Sequence, residues 1–392
     1  MAQTPIDETV SIADLTRDPY PIYKRYRVES PVVSVPAASR ILLTKAADTK
    51  YVKDNPVLFS SDDPSTPMRR AFQYHTLMRK DGAAHMRERN SMMAAFSPTN
   101  IRDVWLPVYR EIAADYIGRL PKGEIVDLHG QLSAPLAARC LAHLIGLTHA
   151  SDADLCRWSQ TLIDGAGNFG WRDEPFEKSD AANIEINKCI GAVIAENRAE
   201  HRPNAISAML HFEDEMTLEE VQSNIKIVIG GGINEPRDAL STALFGLLTN
   251  PDQHAAVEKD DSLWNRTFEE TVRWVAPIQA SSRRVTEDTE IRGIDIPEGA
   301  VVMTIQASAN HDEELYEDGH LFNIFREPGR NQAFGNGPHF CMGTHIARRM
   351  VGEIVLPMLF DRFPNMSLPE PYKVQFWGFG FRGPLSLPVL LQ

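Results

Sequence analysis

"AFGNGPHFCMGTHIARRM", residues Ala333 to Met350, is the stretch on which the fold turns. Phe334 opens a glycine-rich loop with Gly335 and Gly337. His339, Cys341 and Gly343 follow, and then a run of helical character. This pattern presents a cysteine on a tight loop just before a helix N-terminus. The helix dipole and the free backbone N–H groups there favour a thiolate, and glycines let backbone come close to a flat ligand. A lone cysteine is by default an inert packing residue. Packing alone does not call for Phe-x-x-Gly-x-His-x-Cys-x-Gly as a set.

Upstream lies a second unusual stretch, "IVIGGGINEPRDAL", Ile227 to Leu240. Three consecutive glycines and a proline sit inside a segment that otherwise reads as one helix. Thr217 with Glu220 three residues on forms a capping box at its start, and Asn250 before Pro251 marks its end. Those limits predict a helix of roughly 33 residues, ~50 Å long at 1.5 Å per residue. Each glycine costs such a helix about 1 kcal/mol and the proline about 3. A ligand pressed against the backbone is one reason to keep them.

The rest of the chain sets the frame. Its 392 residues suffice for a large core in one domain or two. Four scattered cysteines (Cys140, Cys156, Cys189 and Cys341) give neither a disulfide framework nor a zinc site, which points to a reducing cytoplasm. No apolar run reaches the length of a membrane span, and "MAQTPIDETVSIADL" lacks the marks of a secretory signal. We therefore expect a cytoplasmic protein with no membrane partner. A net charge of −13 argues against nucleic acid. Helical periodicity fills "PTNIRDVWLPVYREIAADYIGRL" and "AANIEINKCIGAVIAENRAEH". Strand-like runs are short and lie towards the ends: "VVSVP", "RILLT", "EIRGIDIPEGAVVMTI" and "SLPVLLQ". The expectation is a mainly α protein with small peripheral β-sheets near 30–60 and 280–310, without βαβ alternation.

Phe334, Gly337, His339, Cys341 and Gly343 resemble the heme-binding signature of the cytochrome P-450 monooxygenases. Further marks follow in the family's order. "EETVRW" holds Glu270 and Arg273 at i, i+3, and Arg326 in "FNIFREPGRNQAFG" stands where the family places a third member of that network. "APIQASSRRVTED" supplies Arg283, and "DGAAHMRERNSMMAAFSP" supplies His85 and Arg89. The resemblance covers nearly the whole chain. It implies a single cytochrome P-450 domain over 1–392, triangular in outline, with no fused reductase. It implies heme b (iron protoporphyrin IX) ligated by Cys341. Phe334, Gly335 and His339 would lie in the heme loop, and His85, Arg89 and Arg283 would hold the propionates. Electrons would come from an external ferredoxin or flavin reductase, for which Arg348 and Arg349 are candidate docking residues.

The long helix departs from the family. Where the family has an acid followed by an alcohol, this chain has Asn234 and Glu235. An amide does not titrate near neutral pH, whereas a desolvated glutamate can be tuned towards it. Glu235 is the candidate proton relay, with Asn234 beside it, and an ion pair with Arg237 is its alternative fate. Candidate pocket residues are Phe72, Phe169, Ile227, Gly231, Ile278, Ser281, Phe379 and Phe381. The aromatics suit a small planar ring. The Asn-Glu pair resembles bacterial O-demethylases of methoxyphenols, so the leading expectation is oxidative demethylation of a small methoxylated aromatic by dioxygen. Alternatives are use of hydrogen peroxide through Glu235, hydroxylation of another small apolar substrate such as a terpenoid, and a heme protein that binds ligand without turnover.

Overall fold

The structure is a computed structural model that describes residues 3–327 and 329–392. The helices used below are α1 (Tyr20–Glu29), α2 (Ala46–Asp54), α3 (Gly82–Met92), α4 (Ala134–Ile145), α5 (Asp152–Ala166), α6 (Asp173–Ala199), α7 (Leu218–Leu248), α8 (Leu263–Trp274) and α9 (Thr344–Arg348). The strands are β1 (Val32–Val35), β2 (Arg40–Leu43), β3 (Phe59–Ser60), β4 (Ala280–Val285), β5 (Val301–Ile305) and β6 (Phe376–Trp377). Helices dominate, and among the described residues none is long and apolar enough to cross a membrane.

Helix α7 is the axis of the molecule and packs against α4, α5 and α8. Its start is the capping box read from the sequence. The Glu220 N–H donates to Thr217 Oγ1 at 3.2 Å, and the Thr217 N–H donates to Glu220 Oε2 at 2.8 Å. It runs 31 residues without interruption through the glycines and Pro236. Burial offsets their propensity cost. Ile225, Ile229, Ile233, Leu244 and Leu247 are wholly enclosed, and each such aliphatic side chain stabilises the fold by about 1.5–3 kcal/mol.

The two β-rich parts expected near 30–60 and 280–310 form one sheet, in the order β1-β2-β5-β4-β3. β2 and β5 pair in parallel, Leu42 opposite Met303. β5 and β4 pair antiparallel, Ser282 opposite Met303. Alternation divides the side chains between two small cores. Val33, Val35, Leu42 and Met303 face one with Tyr23 and Phe379, and Val32, Leu43 and Val302 face the other with Phe59 and Val285. Burial on both faces explains why the inner strand β5 reads as "VVMTI", uncharged throughout and apolar but for Thr304, whose hydroxyl bonds the Ser281 carbonyl. The sheet thereby fixes the backbone of Ser281, Ser282 and Arg283 beside the large helical core.

Candidate active site

Cys341 sits on the loop before α9 with its N–H donating to the Phe334 carbonyl at 3.0 Å. Gly335 and Gly337 close the loop at φ 74° and 66°, conformations that L side chains avoid. Gly337 has a second reason to be glycine, because a Cβ there would lie 2.4 Å from the Lys53 carbonyl oxygen. Phe334 stacks on Phe268 with centroids 6.1 Å apart, which pins the loop to α8. The sulfur is accessible, yet burial dominates its surroundings, so it faces an interior space. Burial pushes the thiol up, and Glu235 adds to this. The Gly343 N–H and the Thr344 hydroxyl work the other way. The loop alone does not deliver the thiolate that the sequence pattern suggests; a cation at sulfur is what would hold it.

Glu235 lies across that space. Its Oε1 and Oε2 fold back along α7 and stand 3.7 and 3.8 Å from where a Gly231 Cβ would be. Neither oxygen has a hydrogen-bond partner, and both are buried. Burial raises this carboxyl to about 8. The expected alternative, an ion pair with Arg237, does not form. Arg237 instead binds Asp238 at 2.7 Å and Gln160 at 2.9 Å. The Asn234 amide is buried with both polar atoms unpartnered. Pro236 lacks an N–H, so the Gly232 carbonyl also loses its helical donor.

The three glycines divide their work. A Cβ at Gly230 would stand 3.2 Å from Phe72, and one at Gly232 would stand 2.6 Å from Leu141. Those two glycines serve helix packing, not the ligand approach expected for the whole run. Gly231 is exposed in the middle of a buried helix and alone faces the open space, with Ile227 one turn earlier partly accessible.

The propionate candidates converge as a set of bases, His85 and Arg283 buried and Arg89 half-buried. His85 stacks on His339, with ring centroids 4.0 Å apart. Neither ring nitrogen of His85 has a partner, and burial, with His339 next in size, lowers its pKa to about 4. Arg283 is 7% exposed and bonds only the carbonyl of Ser282. Burial, with Arg79 adding to it, brings its guanidinium down to about 10. Arg89 donates to the Phe340 carbonyl at 2.7 Å. Lys53 is buried beside Arg283 with no carboxylate, and burial holds it well below the usual lysine range. Its Nζ reaches only the Gln306 amide, at 3.1 Å when the amide oxygen is turned towards it. The nearby acid is Asp81. Burial opposes its ionisation, but bonds from His339, Ser60 and Ser61 hold it well below the carboxylate range.

These converging bases, with no carboxylate in contact among the described residues and with both His85 nitrogens unpartnered, test the cofactor that the resemblance implies. A flat group with two carboxylates between the Cys341 loop and α7 would satisfy His85, Arg89 and Arg283 together. The residues fit heme b. Lys53 and Asp81 were missed in the sequence. Asp81 had a signal, since it precedes α3 and stands four residues before His85. Lys53 had none, because an amphipathic helix places many lysines at such positions.

The aromatic candidates gather at the C-terminal end of α5. Phe72, buried in the helical core, stands 3.2 Å from the Gly230 Cβ position, and Ile163 of α5 shares that contact at 3.5 Å. Phe381 is 3.7 Å from the Gly167 Cβ position and bridges to Ile278. Phe169 packs on Phe379 at 5.6 Å. Phe379 itself is buried in the sheet core, so it backs Phe169 and does not line the space. Ser281 is engaged with Gln306 at 2.7 Å. Below, Glu270 and Arg273 form a two-pronged pair, each contact 2.7 Å, and Arg326 stands 3.6 Å from Glu270. The pair expected to dock a redox partner is not free: Arg348 binds Glu269 and Arg349 binds Glu353.

Comparison with known proteins agrees with this geometry. A sequence profile described as Cytochrome P450 matches residues 173–371. The chain is 28% identical over 388 residues to putative cytochrome P450 123 of Mycobacterium tuberculosis (strain ATCC 25618 / H37Rv), covering 97% of this chain and 95% of that protein. It is 27% identical over 318 residues to 6-deoxyerythronolide B hydroxylase of Saccharopolyspora erythraea, covering 80% and 77%. Among solved structures it resembles that of CxnD, a cytochrome P450 enzyme for C–S bond formation in chuangxinmycin biosynthesis. The TM-score is 0.88 at 23% identity, with 100% and 98% of the two chains covered, a likeness of fold alone.

Proposed function

The chain belongs to the cytochrome P450 family of heme b monooxygenases, and on that premise we propose that it demethylates a small methoxylated aromatic. We read residues 1–392 as one heme domain. The family draws electrons from an external redox partner and uses dioxygen. When bound, the heme iron supplies the oxygen activation, with Cys341 proposed as its protein ligand. Overall, Ar–O–CH3, O2, two electrons and two protons give Ar–O–CH2OH and water. The hemiacetal then loses formaldehyde and leaves the phenol.

The observation that carries this reading is a partnerless buried carboxyl beside an aromatic wall. Glu235 overhangs Gly231, and Phe72 packs at neighbouring Gly230. A carboxyl tuned to about 8 holds its proton at neutral pH and can give it up and regain it. Asn234 offers its amide to orient water. Phe169 and Phe381, both partly accessible, supply flat apolar contacts for a single ring and exclude water around it, and the buried Phe72 backs the helix.

Spectral titration of the heme protein with methoxyphenols, methoxybenzoates and terpenes tests the substrate class. Methoxyphenols should displace bound water and, on turnover, give formaldehyde and phenol in equal amounts. Tight terpene binding with no response to any methoxyarene overturns the reading.

The Glu235 carboxyl also favours a second reading, in which hydrogen peroxide serves as oxidant. Peroxide brings its own electrons: Ar–O–CH3 and H2O2 give Ar–O–CH2OH and water with no donor. Glu235 would give its proton to one peroxide oxygen, which leaves as water, and regain a proton from the other. Product formation with peroxide alone, lost in Glu235→Gln, supports this; no product without a reductase excludes it.

A further inference from the structure

A second cavity of about 970 Å³ lies apart from the space between Cys341 and Glu235, and shares none of the residues placed there. It is bounded by α1, the end of α7, the end of α8 and β6. Its size is at the upper end for small-molecule sites. We propose that it binds a small planar aromatic carboxylate.

The walls argue for an aromatic ligand. Phe245 of α7, Trp274 of α8 and Phe376 of β6 form a continuous aromatic surface. Phe245 and Trp274 are stacked at 6.2 Å, and Phe376 meets Phe245 edge-on at 5.4 Å. Trp377 is 45% exposed at the mouth, although its indole is large and apolar. Such walls present both faces and edges to a flat ring.

The charges argue for an anion. Lys24 has no carboxylate within ion-pair distance among the described residues, and Arg17 reaches only Asp14, at 3.9 Å. Arg382, 5% exposed, donates to the carbonyls of Thr16, Arg17, Phe376 and Gly378 and is offset by no acid in contact. Arg27 is neutralised by Glu313 at 2.8 Å. Three cations therefore face the single lining acid, Asp18. On a chain of net charge −13 this is a local reversal of sign. A carboxylate at the Arg17–Lys24 rim with its ring against Trp274 and Phe376 satisfies both features.

The test uses the heme-loaded enzyme with 4-phenylimidazole occupying the first site. Titration with 2-naphthoate should quench tryptophan fluorescence saturably at one equivalent. Lys24→Glu and Trp377→Ala should each weaken binding about tenfold. Both are surface changes, unlike Arg382, whose replacement would strip four carbonyls of their donor. The methyl ester of 2-naphthoate should bind at least about tenfold more weakly than the acid. Absence of saturation, full affinity in both variants, or an ester as tight as the acid would each overturn the proposal.

Discussion

Two buried charge clusters lie in the same molecule and are built on opposite plans. Around Glu270 and Arg273 the donors are used: Arg273 binds both oxygens of Glu270 and the carbonyls of Asn310, Gly319 and Leu321, and only Arg326 Nε, 3.6 Å from Glu270, lacks a bond. Asn323 donates a backbone N–H to the same carboxylate. Around His85, Arg283 and Glu235, ring nitrogens and carboxylate oxygens have no partner. A buried polar atom without a partner costs about 1–3 kcal/mol, so the second cluster is costly for the chain by itself. The satisfied cluster holds the scaffold; the unsatisfied one waits for what it binds.

The sharpest way to break this contrast is at the ligand. Cys341→Ser should abolish the long-wavelength carbon-monoxide band of the reduced heme protein, while the far-ultraviolet circular dichroism stays native. Persistence of the band assigns the ligand elsewhere. Next in size is Glu235→Gln, which keeps shape and removes the proton. Turnover should fall about 10²-fold or more, the scale of general acid–base catalysis, with electrons diverted from product. Unchanged coupling removes Glu235 from proton delivery.

The satisfied cluster should respond differently. Glu270→Gln leaves Arg273 buried without its counter-charge, and should cost about 3–5 kcal/mol in urea unfolding even without heme. The stability effect of Glu235→Gln in the apo-protein should carry pH dependence instead. Glu235 binds its proton up to about 8 when folded, against 4.5 ordinarily. Between those values the unfolded chain has already lost the proton, so native stability declines as pH rises through that window. The amide variant should therefore match the native chain near pH 4 and gain on it by about 2–4 kcal/mol at pH 9. Parallel profiles would mean the carboxyl is not held neutral.

The smallest contrast is between adjacent glycines. Gly232→Ala drives a methyl into Leu141 and should cost about 1–3 kcal/mol. Gly231→Ala meets only ordinary contacts and should stabilise the apo-helix by about 1 kcal/mol, while weakening substrate-induced spectral change.

That glycine pair also shows what the sequence could convey. Helix α7 was legible to within two residues at each end, because a capping box and a proline are local signals. The cysteine loop was legible because backbone conformation demands its glycines. The assignment of Gly230 and Gly232 to packing was not, since Phe72 and Leu141 meet them only through tertiary structure. The same holds for Arg348 and Arg349, whose acids Glu269 and Glu353 lie on α8 and one turn further along. Charge in a sequence does not reveal which partner folding will bring. Lys53 was invisible for the converse reason, as a lysine buried without an acidic partner.

The parallel pairing of Leu42 with Met303 has a consequence in time. β2 is made early, but it cannot be flanked on its inner side until the chain has grown some two hundred and sixty residues further, at a synthesis rate of about 5–20 residues per second. Contacts so distant along the chain are slow to form. Arg283 on β4 is set in place by the same strand. A nascent chain therefore carries His85 and Arg89 for much of its synthesis before their third basic companion arrives, and the prosthetic group can be captured firmly only near the end of translation.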